Sequence, residues 1–447
     1  MILETLELKD FRNYEAEVVV FHEKINILAG RNAQGKTNLI EAINLLALGK
    51  SFRTRREQEL VRFGTDEARV KGSFEKRGGV HTTEVRVFSG ATGSGMRTGN
   101  GEKAADVGKT VSVGNIAKGE RTGGVPRTAK SSKPVYIVNG LETGTVSGLL
   151  GGVYTIVFSP EDLRIVKGDP ETRRRFLDRE LILSRPLYYH KLKKYRHILK
   201  TRNAFLKGER MSSELLDIYD EQLAEAAAEV MNERGAWLEK LSGAAERAGS
   251  RITDGGEVLS VEYRPHFSLA GTRSGRDTGR DFRKGGSAGT DKNYSEGGNA
   301  GTDKNFSENG SANDGKGFSK DAILEVLGRG RERDILARST EAGPHRDDFA
   351  VFASGLDLRV YGSQGQQRTA ALSLRLAERE LVKAETGEDA ILLLDDVMSE
   401  LDAGRQERLL ESFGENQIFI TAAGPFHEEA LKLRASKVMH IEGGKII

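Results

Sequence analysis

The chain has 447 residues, 30% of them charged, a formal net charge of only +2, and no cysteine. That length holds two or three domains and a large core. The missing cysteines exclude disulfides and thiolate metal sites, as suits a reducing cytoplasm, and the near-neutral balance puts the weight of any nucleic-acid claim on where the charges sit. The start, Met1–Leu8, lacks the blocks of a secretory signal, and no apolar run approaches a membrane span. A cytoplasmic protein without membrane contact is expected.

In chain order, Ile2–Leu8 alternates apolar and polar residues as a half-buried strand does. A turn at Phe11–Tyr14, a strand at Val18–Phe21 and a third at Ile25–Ala29 follow. The stretch Gly30-Arg31-Asn32-Ala33-Gln34-Gly35-Lys36-Thr37 then reads G-x-x-x-x-G-K-[ST], the phosphate-binding P-loop. Its glycines permit a tight turn whose N–H groups cradle phosphate oxygens. Lys36 brings a point charge to the β- and γ-phosphates, and the Thr37 hydroxyl can ligate Mg²⁺. An apolar strand enters the loop and a helix, Thr37–Leu46, leaves it, adding a favourable dipole.

After this helix, Lys50–Arg56 is a basic loop with one aromatic. Strands at Arg69–Glu75 and Thr83–Phe88 make a small sheet. Ser89–Pro134 is rich in Gly, Ser, Thr and Lys, with eight Lys/Arg against three Asp/Glu. It is expected to be a flexible insertion. Val135–Val138 resumes the sheet, and Tyr154–Phe158 is another strand. Asp169 is the predicted N-cap of a helix with Pro170 at its first position. A second helix starts near Pro186 and carries Lys191, Lys193, Lys194, Arg196, Lys200 and Arg202. A third runs from about Ser213 to Arg247, and the two are expected to form an antiparallel arm. Leu269–Ser319 contains a polar, glycine-rich segment repeated at 12 residues, Ala288–Asn293 and Ala300–Asn305. Two copies are too few for a solenoid, so a disordered loop is expected. A helix at Ala322–Leu327 and a strand at Phe349–Phe352 follow, with Gly343–Asp348 as a polar junction.

Three later pieces answer the P-loop. Ala390–Leu394 is an apolar strand ending in Asp395 and Asp396, the Walker B pattern. Asp395 is expected to hold Mg²⁺, and Asp396 to activate water as general base. Ser363 and Gln366 form a capping box at a glycine-lined helix start, a second anion site. One P-loop does not need a second cradle so far along the chain, unless that cradle serves the nucleotide of another copy.

Ser363-Gln364-Gly365-Gln366-Gln367 is similar to the ABC-ATPase signature, normally Leu-Ser-Gly-Gly-Gln. Ser399-Glu400-Leu401-Asp402 is similar to the D-loop that follows Walker B. With a long helical insertion between P-loop and signature, the chain resembles the SMC-like branch of ABC-type ATPases. Within that branch it resembles the RecF family of bacterial DNA replication and repair proteins, on Leu8–Tyr14, Lys50–Thr54, Phe158–Leu163 and Gly343–Asp348. The resemblance implies an α/β fold, an ABC-type P-loop head with an inserted α-helical arm and two low-complexity insertions. The head would be 1–165 (insertion about 89–134) and 339–447, and the arm 166–338 (insertion about 269–319).

The resemblance also implies a DNA-binding ATPase that forms a homodimer on ATP at gapped or junction DNA in recombinational repair, replication restart and the SOS response. Slow, DNA-stimulated hydrolysis would release it, and RecO and RecR would act with it to load the RecA recombinase. ATP and Mg²⁺ are the expected cofactors. ATP would meet Gly30 to Thr37 and Arg12, with Ser363, Gly365 and Gln366 reaching the γ-phosphate of a second copy. Thr37 and Asp395 would hold the metal, and Lys36, Asp395 and Asp396 would carry catalysis. Arg53, Arg55, Arg56, Lys191 and Lys194 are the DNA-contact candidates. A nucleotide-dependent DNA scaffold with little hydrolysis and a transporter-type ATPase subunit are the competing readings. Three departures stand out: Asp396 where most ABC proteins have Glu; Ala422-Ala423-Gly424 where a switch histidine is expected after the strand Gln417–Thr421, with Thr421 as its substitute; and Ser159–Asp162 where a Q-loop glutamine is expected.

Overall fold

The computed structural model describes residues 1–54, 56–89, 133–208, 212–253, 256–266, 317–422 and 437–447. Both low-complexity segments, Arg55 and the stretch after Ala422 fall wholly or almost wholly outside these. The chain divides into two compact units, one of Met1–Pro160 with Glu378–Ile447, the other of Glu161–Ala377. The sequence reading puts 339–447 together, whereas the boundary between units falls inside the helix Gln364–Thr386.

The first unit contains two six-stranded sheets. One comprises β1 (Ile2–Phe11), β2 (Tyr14–Val20), β4 (Glu67–Lys76), β5 (Gly79–Phe88), β6 (Val135–Val138) and β7 (Leu141–Thr143), ordered β2-β1-β4-β5-β6-β7 and antiparallel throughout. Alternation along β1 and β4 leaves one face buried, as a sheet covered on one side requires. The other comprises β3 (Ile25–Ala29), β8 (Thr155–Phe158), β12 (Ile391–Leu394), β13 (Ile418–Ala422), β14 (Lys437–Glu442) and β15 (Lys445–Ile446). Its order is β15-β14-β3-β13-β12-β8, and all pairings but β14–β15 are parallel. β8, β12 and β13 are buried at every position, which matches their unbroken apolar runs.

Helix α1 (Lys36–Leu48) packs on β4 and β5 of the first sheet and on β8 and β13 of the second. Leu39, Ile40, Ile43 and Leu46 are fully buried along it. Gly49 ends it in the left-handed conformation, returning its N–H to the Leu45 carbonyl. Helix α9 (Ala403–Ser412) also lies in this unit, capped by Asp402.

The second unit is mostly helical: α2 (Leu163–Lys167), α3 (Pro170–Ser184), α4 (Pro186–Leu206), α5 (Ser213–Thr253), α6 (Lys320–Ala337), α7 (Leu358–Tyr361) and the start of α8 (Gln364–Thr386). β9 (Leu259–Arg264), β10 (Asp348–Ala353) and β11 (Leu356–Asp357) form a three-stranded antiparallel sheet. Asp169 caps α3 as expected, accepting the Thr172 N–H at 2.8 Å. α4 and α5 run antiparallel, since ion pairs Arg185–Glu233, Lys194–Glu229 and Arg202–Asp220 descend α5 as they ascend α4. α5 extends past the expected Arg247 to Thr253, because Ala248 and Ile252 continue its buried stripe.

Buried charge ties this unit together. Arg202 is fully buried between Asp220 and Asp334, at 2.6 and 2.8 Å. Arg234 bonds Asp178 and the Pro344 carbonyl, and Arg173 forks onto Asp348. Removing one member of such a set costs roughly 3–5 kcal/mol, because its partner stays buried and unpaired. The Gly343–Asp348 junction is thus a packing hub. Asp347 accepts from the Tyr263 hydroxyl and the His266 N–H, and His345 meets the Tyr195 hydroxyl and the Thr340 carbonyl.

Candidate functional site

β3 delivers the chain to the P-loop from the middle of the parallel sheet, so the loop emerges at its carboxyl edge, where such sheets bind ligands. Gly30 has φ +146°, and a Cβ there would lie 2.4 Å from the Ile441 carbonyl oxygen. Gly35 has φ +122° with Asn13 and Tyr14 against it, so neither position accepts a larger residue. Gly35 is also the N-cap of α1, which has no side-chain cap and no acidic residue in its first turn. Its terminal N–H groups are therefore suited to an anion.

Lys36 is buried and donates through Nζ to the carbonyls of Gly30 and Arg31, at 2.6 and 2.8 Å. An ammonium has three donors, so one remains for a phosphate. Burial lowers the Lys36 pKa, and the Asp396 and Asp395 carboxylates counter that shift. Thr37 Oγ1 donates to Asp395 Oδ1 at 2.8 Å, joining P-loop and Walker B across 358 residues of sequence. A hydroxyl and a carboxylate oxygen brought together are the hard ligands Mg²⁺ prefers.

Asp395 is buried, and burial pushes its carboxyl pKa up, against the pull of hydrogen bonds from Thr37 and Thr421 and the charge of Arg53. Asp396 is exposed and sits at φ +56°, rare for a residue with a side chain. Its N–H donates to Thr421 Oγ1 at 2.8 Å, and Ser399 Oγ donates to its carbonyl and to Oδ1, at 2.7 and 3.1 Å. Two adjacent aspartates thus have different surroundings: one held inside, one facing solvent. Thr421, on neighbouring β13, touches both. Ser159 follows β8, and Pro160–Asp162 forms a single 3₁₀ turn.

The expected capping box forms at the signature. Ser363 N–H donates to Gln366 Oε1 at 2.9 Å, and Gln366 N–H returns to Ser363 Oγ at 3.2 Å. A Cβ on Gly365 would meet nothing nearer than Ser363 Oγ at 3.9 Å, so this helix start is open to approach.

The remaining candidates are placed unevenly. Arg12 is held against α1. It forks onto Glu41 through Nε and Nη2, at 2.9 and 2.8 Å, and donates to the Glu59 carbonyl. Arg53 lies along α1 on Asn38 and Glu41. Arg56 is 83% exposed, 3.9 Å from Glu59. Lys191 pairs with Glu233, and Lys194 with Glu225 and Glu229. Arg196 and Arg202 of the same helix also face carboxylates. Of the basic residues read on α4, Lys191, Lys194 and Arg202 meet carboxylates of α5, and Arg196 meets Asp178 of α3.

Sequence reasoning missed the residues that brace the loop. Asn13 Nδ2 donates to the Gln34 carbonyl at 2.8 Å, and the Tyr14 hydroxyl to the Gly35 carbonyl at 3.0 Å. The β14–β15 turn donates from Gly443 to Gln34 Oε1 and from Gly444 to the Gln34 carbonyl. Glu41 was missed too, although one carboxylate inside the apolar run Leu39–Ile43 was a visible signal.

A mononucleotide-type parallel sheet, a P-loop on an uncapped helix start and a Walker B aspartate bonded to it define a P-loop nucleotide-binding head. The family model described as RecF/RecN/SMC N terminal domain matches residues 2–441. The DNA replication and repair protein RecF of Lysinibacillus sphaericus (strain C3-41) is 34% identical over 453 aligned residues, covering 100% of this chain and 99% of that protein. RecF of Clostridioides difficile (strain 630) is 32% identical, covering 100% and 98%. A solved structure of the recombination mediator protein RecF-ATP in the RecFOR pathway superposes with a TM-score of 0.75 at 29% identity, covering 100% and 97%. The chain belongs to the RecF family of DNA replication and repair proteins. No helix among the described residues is long and apolar enough to cross a membrane.

Proposed function

We propose that this chain is an ATP-dependent DNA-binding protein of recombinational repair and replication restart, working as half of a nucleotide site that a second copy completes. The observation that carries the reading is the bond from Thr37 to Asp395, which makes one site of two motifs. The solved structure of the recombination mediator protein RecF-ATP in the RecFOR pathway supports it.

The Gly30–Thr37 backbone and Lys36 bind the phosphates, while Thr37 and Asp395 would hold Mg²⁺, which supplies charge neutralisation between the β- and γ-phosphates when bound. Asp396, exposed and held by its backbone to Thr421, accepts the proton of the attacking water. Ser363, Gly365 and Gln366 of a second copy present the α8 N-terminus to the γ-phosphate. Hydrolysis removes the group both copies share, so turnover sets residence time on DNA. DNA contact falls first to Arg56, since Lys191 and Lys194 must leave their glutamates to reach a phosphate. RecO- and RecR-type mediators are the proposed partners, with RecA loading the outcome.

The test is ATP hydrolysis by the purified chain with and without gapped duplex DNA. DNA should raise the rate, and Lys36→Ala should abolish ATP binding. Equal ATP affinity in Lys36→Ala would contradict the reading.

A further inference from the structure

Glu41 is fully buried on α1, one turn beyond Thr37. A carboxylate taken from water is costly unless donors replace its hydration. Here donors arrive from two other segments. Oε1 accepts from Arg12 Nη2 at 2.8 Å and from the Ser51 hydroxyl, and Oε2 accepts from Arg12 Nε at 2.9 Å and Arg53 Nη1 at 3.5 Å. Arg12 is pinned further by its φ of +53° and by its N–H on the Leu60 carbonyl at 2.8 Å. Arg53 also donates to Asn38 Oδ1 at 2.8 Å. Ser51 Oγ accepts the N–H groups of Arg53 and Thr54, at 2.9 and 3.0 Å, which fixes the loop that carries Arg53.

This set is continuous with the P-loop. Asn38 Nδ2 donates to Asn13 Oδ1, and Asn13 Nδ2 donates to the Gln34 carbonyl, each at 2.8 Å. Two guanidiniums face one carboxylate, so the cluster keeps a net positive charge beside the start of α1. A bare carboxylate so near a phosphate site would repel the ligand. Its presence makes sense if its task is to hold cations. The bond from Arg53 to Asn38, the residue after Thr37, places the guanidinium at the first turn of the helix.

We propose that Glu41 is a positioning residue that presets Arg12 and Arg53 for the terminal phosphate of a nucleoside triphosphate. Glu41 itself touches no phosphate. Arginine's planar fork is held by two parallel bonds, so the guanidinium is ordered before the ligand arrives. A diphosphate, lacking the terminal group, gains nothing from that ordering. Glu41 therefore sets the preference for triphosphate over diphosphate. The inference rests on the ATP-binding reading above.

The experiment measures ATP and ADP affinity of the full chain with Mg²⁺, for wild type, Glu41→Gln, Glu41→Asp, and Glu41→Gln combined with Arg12→Gln. Glu41→Gln should lower the ATP-to-ADP affinity ratio about tenfold while ADP affinity stays within about twofold, the scale of one charged hydrogen-bonded contact. Glu41→Asp should recover part of the ratio. In the Arg12→Gln background the Glu41→Gln effect should shrink, because Glu41 acts through that arginine. If Glu41→Gln lacks a cooperative melt, Ser51→Ala should lower the same ratio by about threefold, having lost one donor of the set. ATP and ADP affinities falling together, or an unchanged ratio, in Glu41→Gln or in its substitute would overturn the inference. Failure of wild type to bind ATP would instead count against the ATP reading.

Discussion

Asp395 and Asp396 are adjacent in sequence, yet their surroundings divide the work. Asp395 is buried, its carboxyl raised by desolvation and accepting from two hydroxyls. Asp396 is exposed to solvent, as its proposed role as general base requires. Asp396→Asn should therefore leave ATP affinity near wild type and slow hydrolysis by roughly 10²–10⁴-fold, the usual worth of a general base. The ATP-bound dimer should then persist on DNA, read as a slower off-rate. Unchanged DNA residence in this variant would favour a scaffold that scarcely hydrolyses, and unchanged turnover would remove Asp396 as the general base. His345 makes a different prediction. Burial lowers its pKa to about 4, so the folded chain takes up that proton only near pH 4, whereas the unfolded chain does so below its ordinary value of about 6.5. Stability is therefore lost as pH falls through this window, by at most about 3 kcal/mol. His345→Gln should flatten the slope of chemical-denaturation stability between pH 6.5 and 4, and an unchanged slope would assign the acid sensitivity elsewhere.

At the scale of elements, the C-terminal hairpin is part of the nucleotide site's support. Gly443 and Gly444 both bond Gln34, and a Cβ on Gly444 would lie 2.2 Å from the Asn13 carbonyl oxygen. Gly444 also has φ +79°. Gly444→Ala should displace the hairpin from the loop and weaken ATP binding by about tenfold, since a left-handed backbone and a clash act together. Calorimetric titration checks this, and wild-type affinity would remove the hairpin from the account. The strands β3, β8, β12 and β13 were legible because parallel strands buried on both faces leave unbroken apolar runs. The P-loop, the Asp169 cap and the Ser363–Gln366 box were legible because each is a local pattern. β14 and β15 were not read, since their role lies in backbone bonds to a loop some four hundred residues away. The ion pairs of α4 were not legible for a related cause. Composition showed its lysines, but only the antiparallel register of α5 shows which glutamates meet them.

For the whole molecule, the proposed function treats the chain's two motif sets as the two halves of a phosphate site. Met1–Pro160 with Glu378–Ile447 contains the P-loop, Walker B and Thr421, and Glu161–Ala377 contains the signature box and the start of α8. The first set is connected by hydrogen bonds, from Asn13 through Gln34 to Gly444 and from Thr37 through Asp395 to Thr421. In the proposed function the open start of α8 is the complementary half, for the nucleotide of another copy. Full-length coverage of the RecF relatives means that the family likeness extends over both units. The direct test is the mass of the purified chain by size exclusion with light scattering, with Mg²⁺ and gapped DNA, in ATP and in ADP. The account predicts a dimer in ATP that returns to monomer in ADP, and no dimer in ATP for Lys36→Ala. A wild-type chain that stays monomeric with ATP and gapped DNA would contradict it.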